Sequence, residues 1–183
     1  MGLNTPSDTP DRDPKISFEP LSAATLDEAL ALVKNVFPWD IQDAEQHYRY
    51  SLEPDKYKQE IAALNIESLR YWVLIRSNKI VGVTGLYREI SDPVGRVSVG
   101  WYGVDPPAHG QGMGRALLEW TVQKAREEGY QKLHIWSTDY FAEAPAQEVY
   151  EKMGFLVTQT EVKPEEGYTV IHREKDLSEP HGP

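Results

Sequence analysis

Among 183 residues there is no cysteine. Disulfides, thiolate metal sites and a cysteine nucleophile are thereby excluded. Basic residues are scarce as well: 19 Lys and Arg stand against 29 Asp and Glu, for a formal net charge of -10. A general nucleic-acid binder needs a basic face to neutralise phosphates, and docking on anionic lipid needs the same. Neither partner is expected, whereas a cationic substrate would be drawn to such a surface. No apolar run approaches the ~20 residues needed to cross a bilayer. The opening Met1-Gly2-Leu3-Asn4-Thr5-Pro6 has no apolar signal core. A soluble, cytoplasmic protein is the expectation.

What is present suits one domain with a substantial core: 40% of the residues are hydrophobic and 26% charged. Residues 1–14 are mostly Asp, Thr, Pro and Ser and read as a disordered tail. Residues 178–183 read as a second flexible tail, which leaves 15–177 as the domain. Ile16 to Leu21 reads as a strand. Thr25 and Glu28 have the spacing of a capping box, opening a helix that Pro38 stops. Asp40 can cap a second helix running to Pro54. Residues 56–69 are ambiguous. Tyr71–Ile75 and Ile80–Tyr87, joined by Ser77-Asn78-Lys79, read as a hairpin. A strand follows over 95–104, with Val97, Val99 and Trp101 expected on one face. A helix over 112–128 then carries an apolar stripe of Met113, Ala116, Leu117 and Trp120, stopped by Gly129. Leu133–Trp136 is a strand and Ala144–Met153 a helix closed by Gly154. A final antiparallel pair brackets Pro164 to Gly167. The crossover from Val104 through the long helix to Leu133 requires those two strands to be parallel.

The segment richest in chemistry is Val104-Asp105-Pro106-Pro107-Ala108-His109-Gly110-Gln111-Gly112-Met113-Gly114-Arg115. A strand ends, two prolines turn the chain, and three alternating glycines open an amphipathic helix. A helix N-terminus has free N–H groups and a partial positive charge, and glycine lets a ligand approach the backbone. Arg115 adds a formal charge. A nucleotide P-loop would close on Gly-Lys-Ser or Gly-Lys-Thr, and a dinucleotide fingerprint would carry Gly or Ala where Arg115 and Leu117 stand. Both fail. His109 reads equally as an exposed loop histidine or a phosphate contact.

The run His109-Gly110-Gln111-Gly112-Met113-Gly114 resembles the pyrophosphate loop of the N-acetyltransferases of the GNAT superfamily, written Q/R-x-x-G-x-G/A, with His109 in place of Gln or Arg. Ala146-Gln147-Glu148-Val149-Tyr150-Glu151-Lys152-Met153-Gly154-Phe155 resembles the same family's A-x-x-x-Y-x-x-x-G-F motif, with Glu143 where an Asn is often found. The resemblance implies an α/β (α+β) fold, a mixed and mostly antiparallel sheet of about seven strands flanked by helices. It implies acetyl-CoA as co-substrate, with the diphosphate on residues 109–115. The pantetheine arm would lie in a gap between Tyr102-Gly103-Val104 and Leu133–Trp136. It also implies Tyr150 as the general acid that protonates the leaving thiolate. A core tyrosine is the alternative for Tyr150. Gly100 and Gly103 are candidates for a bulge in the strand.

Where some relatives carry a Glu base, Ser98 stands here. Glu89, Asp92 and Asp139 are base candidates, and none is selected. Phe37, Trp39, Tyr87 and Trp101, with Asp40, are expected to line the acceptor pocket, a setting suited to a cationic amine. His47, His134, His172 and His181 show no paired ligand spacing, so no metal is expected, and no Ser-His-acid arrangement emerges from spacing. Three functions stand open: an N-acetyltransferase acting on a small-molecule or peptide amine, a noncatalytic acyl-CoA-binding module of the same fold, and a transferase of another acyl group. Oligomeric state is open, with a homodimer among the options.

Overall fold

The computed structural model describes residues 15–178. The tail expected over residues 1–14 lies outside the described residues, as does nearly all of the C-terminal one. The elements are β1 (Ile16–Pro20), α1 (Leu26–Val36), α2 (Ile41–Leu52), α3 (Lys58–Ala63), β2 (Ile66–Arg76), β3 (Lys79–Glu89), β4 (Arg96–Val104), α4 (Met113–Glu127), β5 (Lys132–Thr138), α5 (Ala144–Lys152), β6 (Leu156–Lys163) and β7 (Tyr168–Asp176). The strands form one seven-stranded sheet in the order β1-β2-β3-β4-β5-β7-β6. Every neighbouring pair is antiparallel except β4 and β5.

Local chemistry explains most boundaries. The hairpin between β2 and β3 turns at Ser77 and Asn78, both left-handed (φ 51 and 60), as a tight two-residue turn demands. Gly129 (φ 83) ends α4, where the N–H of Tyr130 reaches back to the carbonyl of Ala125. The ambiguous stretch over 56–69 holds a short helix, α3, and the first four residues of β2. The capping box is not formed. Thr25 Oγ1 instead accepts the N–H of Ser22 at 3.0 Å, and Glu28 Oε1 accepts the N–H of Ile80 at 2.9 Å, pinning α1 to β3. A long-range donor outcompetes the local one.

Each face of the sheet has its own core. One face packs Val73 and Val83 against Ala29 and Val33 of α1 and Tyr48 of α2. The other packs Val97, Val99 and Leu133 against Leu118, Val122 and Ala125 of α4 and Tyr150 of α5. Fully burying side chains of this size contributes about 1.5–3 kcal/mol each. The centre of the α4 stripe is Leu117, Leu118, Thr121, Val122 and Ala125, while Met113, Ala116 and Trp120 sit at its half-buried edge. A buried hydrogen bond of 2.9 Å between Thr84 and Thr121 ties α4 to β3.

Trp101 does not share the face of Val97 and Val99. The ladder slips between Val83 and Gly85, so that Trp101 and Tyr102 both lie opposite Thr84. Trp101 takes a left-handed backbone (φ 46). After this bulge the alternation reverses: Tyr102 joins the α4 face, and Trp101 turns to the α1–α2 face. The strained residue is therefore the tryptophan, neither Gly100 nor Gly103. A Cβ on Gly103 would sit 3.0 Å from Phe37 and Val36, and one on Gly100 would sit 3.1 Å from Tyr71 and Tyr87. These glycines admit protein neighbours.

Candidate functional site

The two parallel strands separate almost at once. β4 pairs with β5 only at Arg96–Ser98 against Lys132–His134. Beyond Ser98 and His134 the strands continue unpaired with each other, to Val104 and Thr138. The gap thus opens after His134, and Leu133 and His134 belong to its closed end.

At the mouth of the gap the glycine loop leads into α4. Gly110 (φ 72) and Gly112 (φ 77) are left-handed, and a Cβ on either would meet nothing within 4 Å. Their backbone conformation calls for glycine, and the space above them is open. The first backbone bond of α4 runs from the N–H of Ala116 to the carbonyl of Gly112. Among the described residues, the N–H groups of residues 110–115 have no hydrogen-bond acceptor. Gly114 is held by a close approach: the Tyr102 hydroxyl donates to its carbonyl at 2.8 Å, and a Cβ there would lie 3.1 Å from that hydroxyl.

Two exposed side chains of the loop bond back onto its own backbone and the end of β4. His109 Nε2 donates to the carbonyl of Val104 at 2.8 Å, so His109 staples the loop to the strand, and the Val104 carbonyl is taken. Gln111 Nε2 donates to the carbonyl of Pro107 at 2.9 Å, and its Oε1 accepts from Arg76. Arg115 is exposed and paired with Glu119 at 2.7 Å. Exposed pairs of this kind are weak, so Arg115 is free to turn.

Tyr150 is buried against Tyr102 (ring centroids 5.8 Å) and Phe155, and its hydroxyl makes no hydrogen bond to another described residue. Burial raises its pKa well above the ordinary tyrosine value. Tyr102 and Glu143 raise it further, and the Arg173 guanidinium, 6.0 Å from the ring, opposes them. The phenol therefore stays protonated at neutral pH, as an acid must.

On the α1–α2 face, Phe37 meets Trp101 edge-on at 5.6 Å, and the Trp101 indole N–H donates to His47 Nδ1 at 3.0 Å. Tyr87 on β3 accepts the Trp136 indole N–H at 3.3 Å. Trp39 is 55% exposed and meets Tyr140. The structure thus joins Phe37 to Trp101, while Tyr87 and Trp39 belong to separate contacts. Each of the base candidates is engaged by other groups. Asp92 pairs with Arg96 and accepts the N–H of Glu89, Glu89 accepts from Asn65 and Ser91, and Asp139 accepts the N–H of Thr169. Among the described residues, no three His, Cys, Asp or Glu side chains are placed to hold a metal, and no helix is long and apolar enough to cross a membrane.

Residues 35–155 match the Acetyltransferase (GNAT) family. The chain belongs to that family. A mycothiol acetyltransferase of Saccharomonospora viridis is 37% identical over 75 residues, which is 41% of this chain and 23% of that protein. Among solved structures, a protein assigned to the GNAT family from Desulfovibrio desulfuricans superposes with a TM-score of 0.71 at 18% identity, covering 90% of this chain and 100% of that one. A PaiA N-acetyltransferase of Thermoplasma acidophilum, solved in complex with coenzyme A, has a TM-score of 0.61 at 16% identity over 88% of this chain and 99% of that one. At these identities the solved structures establish the GNAT fold and no more.

Coenzyme A fits what this GNAT chain presents. Unpartnered N–H groups under two glycines whose Cβ positions are open are the cradle a diphosphate requires. Sequence reading did not reach Arg76, which arrives at the loop from 35 residues away. It gave no contact to His47 or Trp136, and it did not join Ser98, His134 and His172. Ser98 Oγ lies 2.9 Å from His134 Nδ1, and His134 Nε2 lies 3.1 Å from His172 Nδ1. A serine–histidine pair therefore exists, continued by a second histidine in place of an acid. No spacing rule links three residues on three strands.

Proposed function

We propose that this chain is an N-acetyltransferase that moves the acetyl group of acetyl-CoA directly to the primary amine of a small molecule or peptide. The observation that carries the reading is the row of unpartnered N–H groups over 110–115, set at the open end of a split between parallel strands with a protonated tyrosine beside it. Acetyl-CoA, when bound, supplies a thioester, an acyl group already activated toward amines. The N–H groups of residues 110–115 take the diphosphate, with Arg76 and Arg115 as nearby cations. The β4 edge beyond Ser98 offers main-chain groups to an extended ligand in the manner of an added strand. An N–H on that edge polarises the acyl carbonyl in a site shielded from water. Tyr150 holds a proton for the departing sulfur. The aromatic α1–α2 face and the acidic surface favour a cationic acceptor.

The test is release of free thiol from acetyl-CoA in the presence of phenethylamine, spermidine and an alanine-terminated peptide. Acetylated amine detected by mass spectrometry supports the reading. Tight binding of CoA with no turnover of any acceptor would replace it with a binding module, and release of another acyl group in preference to acetyl would change the donor.

A further inference from the structure

We propose that Arg173 is the electrostatic partner of Tyr150, a buried guanidinium that stabilises the phenolate left when Tyr150 gives its proton to the departing sulfur. This inference rests on the acetyl-transfer reading. Arg173 lies opposite Ile135 on β5 and Val157 on β6. Directly opposite residues share a sheet face, and Ile135 belongs to the core that holds Tyr150. Arg173 is 3% exposed, and its guanidinium carbon lies 6.0 Å from the centre of the Tyr150 ring. Its Nη2 donates to Glu151 Oε1 at a long 3.4 Å, and that carboxylate is 66% exposed. The buried Nε and Nη1 have no hydrogen-bond partner among the described residues.

A guanidinium in this position is costly to the fold. Buried charge with unpaired N–H groups is destabilising, and an apolar side chain of similar volume often replaces a buried ion without loss. A charge held at such a cost, against one specific ring, points to chemistry at that ring. Among the described residues Tyr48 and Tyr71 are buried as well, and neither has a cation over its ring. Burial makes Tyr150 a poor acid, and Arg173 works against that burial. The other titratable and charged groups around the pair are Tyr102 on β4, Glu143 before α5, Glu151 of α5 and Lys175 of β7, whose ammonium donates to the Met153 carbonyl. Of the charges that act on Tyr150, Arg173 alone eases its ionisation.

The step conserves its protons. The amine nitrogen adds to the acyl carbon, and the C–S bond then breaks with its electron pair on sulfur. Tyr150 passes its hydroxyl proton to that sulfur and becomes a phenolate beside Arg173. The proton shed by the acylated nitrogen goes to water, and water returns one to the phenolate. Free thiol and amide leave, and Arg173 exchanges no proton. It touches no reacting atom and acts through Tyr150.

The test has two arms. In the first, trifluorotyrosine, a more acidic phenol, replaces Tyr150, and fluorine NMR follows the ionisation of that one ring. The signal should titrate at higher pH in Arg173→Met than with arginine present, and Arg173→Lys should stay near the arginine form. A titration that Arg173→Met leaves unmoved would overturn the pairing. Equal shifts in the Lys and Met variants would also overturn it, because shape and not charge would then act. In the second arm, with tyrosine at 150, Arg173→Met should lower kcat toward phenethylamine about 10-fold, part of the ~10²-fold or more that a general acid supplies. Arg173→Lys should restore most of that rate, and coenzyme A affinity should not change. In a Tyr150→Phe background Arg173→Met should cost nothing further. A second loss of the same size there would assign Arg173 to the fold and overturn the inference, as would an undiminished kcat with chemistry rate-limiting. A wild-type protein that acetylates nothing would instead remove the acetyl-transfer reading, and the catalytic part of Arg173 with it, while the fluorine titration would still decide the pairing.

Discussion

The Tyr102 hydroxyl sits 2.8 Å from the carbonyl of Gly114 and would sit 3.1 Å from any Cβ placed there. One phenol thus joins the end of β4 to the first turn of α4 and dictates the residue that it touches. The gap and the loop are held in one geometry by this contact and by His109 on the Val104 carbonyl. The first prediction follows from it. Tyr102→Phe should cost about 1 kcal/mol, the worth of one hydrogen bond. Gly114→Ala should cost more in the wild type than in the Tyr102→Phe background, where the crowding oxygen is gone. Chemical denaturation of the two single variants and the double variant measures this coupling, and strict additivity would contradict the contact.

Gly112→Val should abolish coenzyme A binding while leaving the chain folded. No protein atom lies within 4 Å of the added Cβ, so the cost to the fold is the left-handed backbone alone, about 1–2 kcal/mol. The ligand, however, must come where the side chain now stands. Calorimetric titration with coenzyme A checks this, and wild-type affinity would show that the diphosphate binds elsewhere.

Replacing Tyr150 with Phe removes a proton donor and little else, because the hydroxyl has no partner to strand. Turnover should fall by at least about 10²-fold with coenzyme A affinity nearly unchanged. Unaltered kcat, with chemistry shown to be rate-limiting, would return Tyr150 to the role of core residue.

His47 accepts the Trp101 indole N–H and so secures a tryptophan in a left-handed backbone. His47→Ala should destabilise the protein by about 1–3 kcal/mol through the unsatisfied indole donor. It should also raise KM for the amine more than it lowers kcat, since Trp101 and Phe37 border the acceptor side in the proposed function. A variant with wild-type stability and KM would separate His47 from the bulge.

Acid should weaken the fold through His134. Its pKa falls from 6.5 in the open chain to about 4 when buried, so between these values the unfolded state binds the extra proton. Stability therefore declines as pH drops from about 6.5 to about 4, by roughly 3 kcal/mol at most, and this contribution is flat below. His47, lowered by burial, acts in the same direction. Urea midpoints at pH 7, 5.5 and 4.5 should fall more steeply for the wild type than for His134→Gln.

Much of the architecture could be read along the chain because its causes are local. Alternating and helical apolar patterns marked all seven strands and four of the five helices. Glycines at 129 and 154 marked helix ends, and the proline–glycine run at 106–114 marked the start of α4. The short α3 was not legible, since Lys58–Ala63 carries too few apolar positions to show a period. The expected capping box failed because Ile80 offered Glu28 a partner 52 residues away.

By itself the sequence determined the family, the sheet-and-helix order, the glycine loop that opens α4 and the placement of Tyr150 on an apolar helix face. All of these depend on residues within a few turns of one another. Only the tertiary structure decided that Trp101 leaves its expected face, that Arg76 reaches the loop, that the acidic residues are occupied elsewhere, and that Ser98, His134 and His172 share hydrogen bonds. Each depends on strand register and on one β-bulge, and a slip of a single residue in register sends every side chain to the opposite face of the sheet. Register is set by the packing of the whole sheet, so no short stretch of sequence contains it.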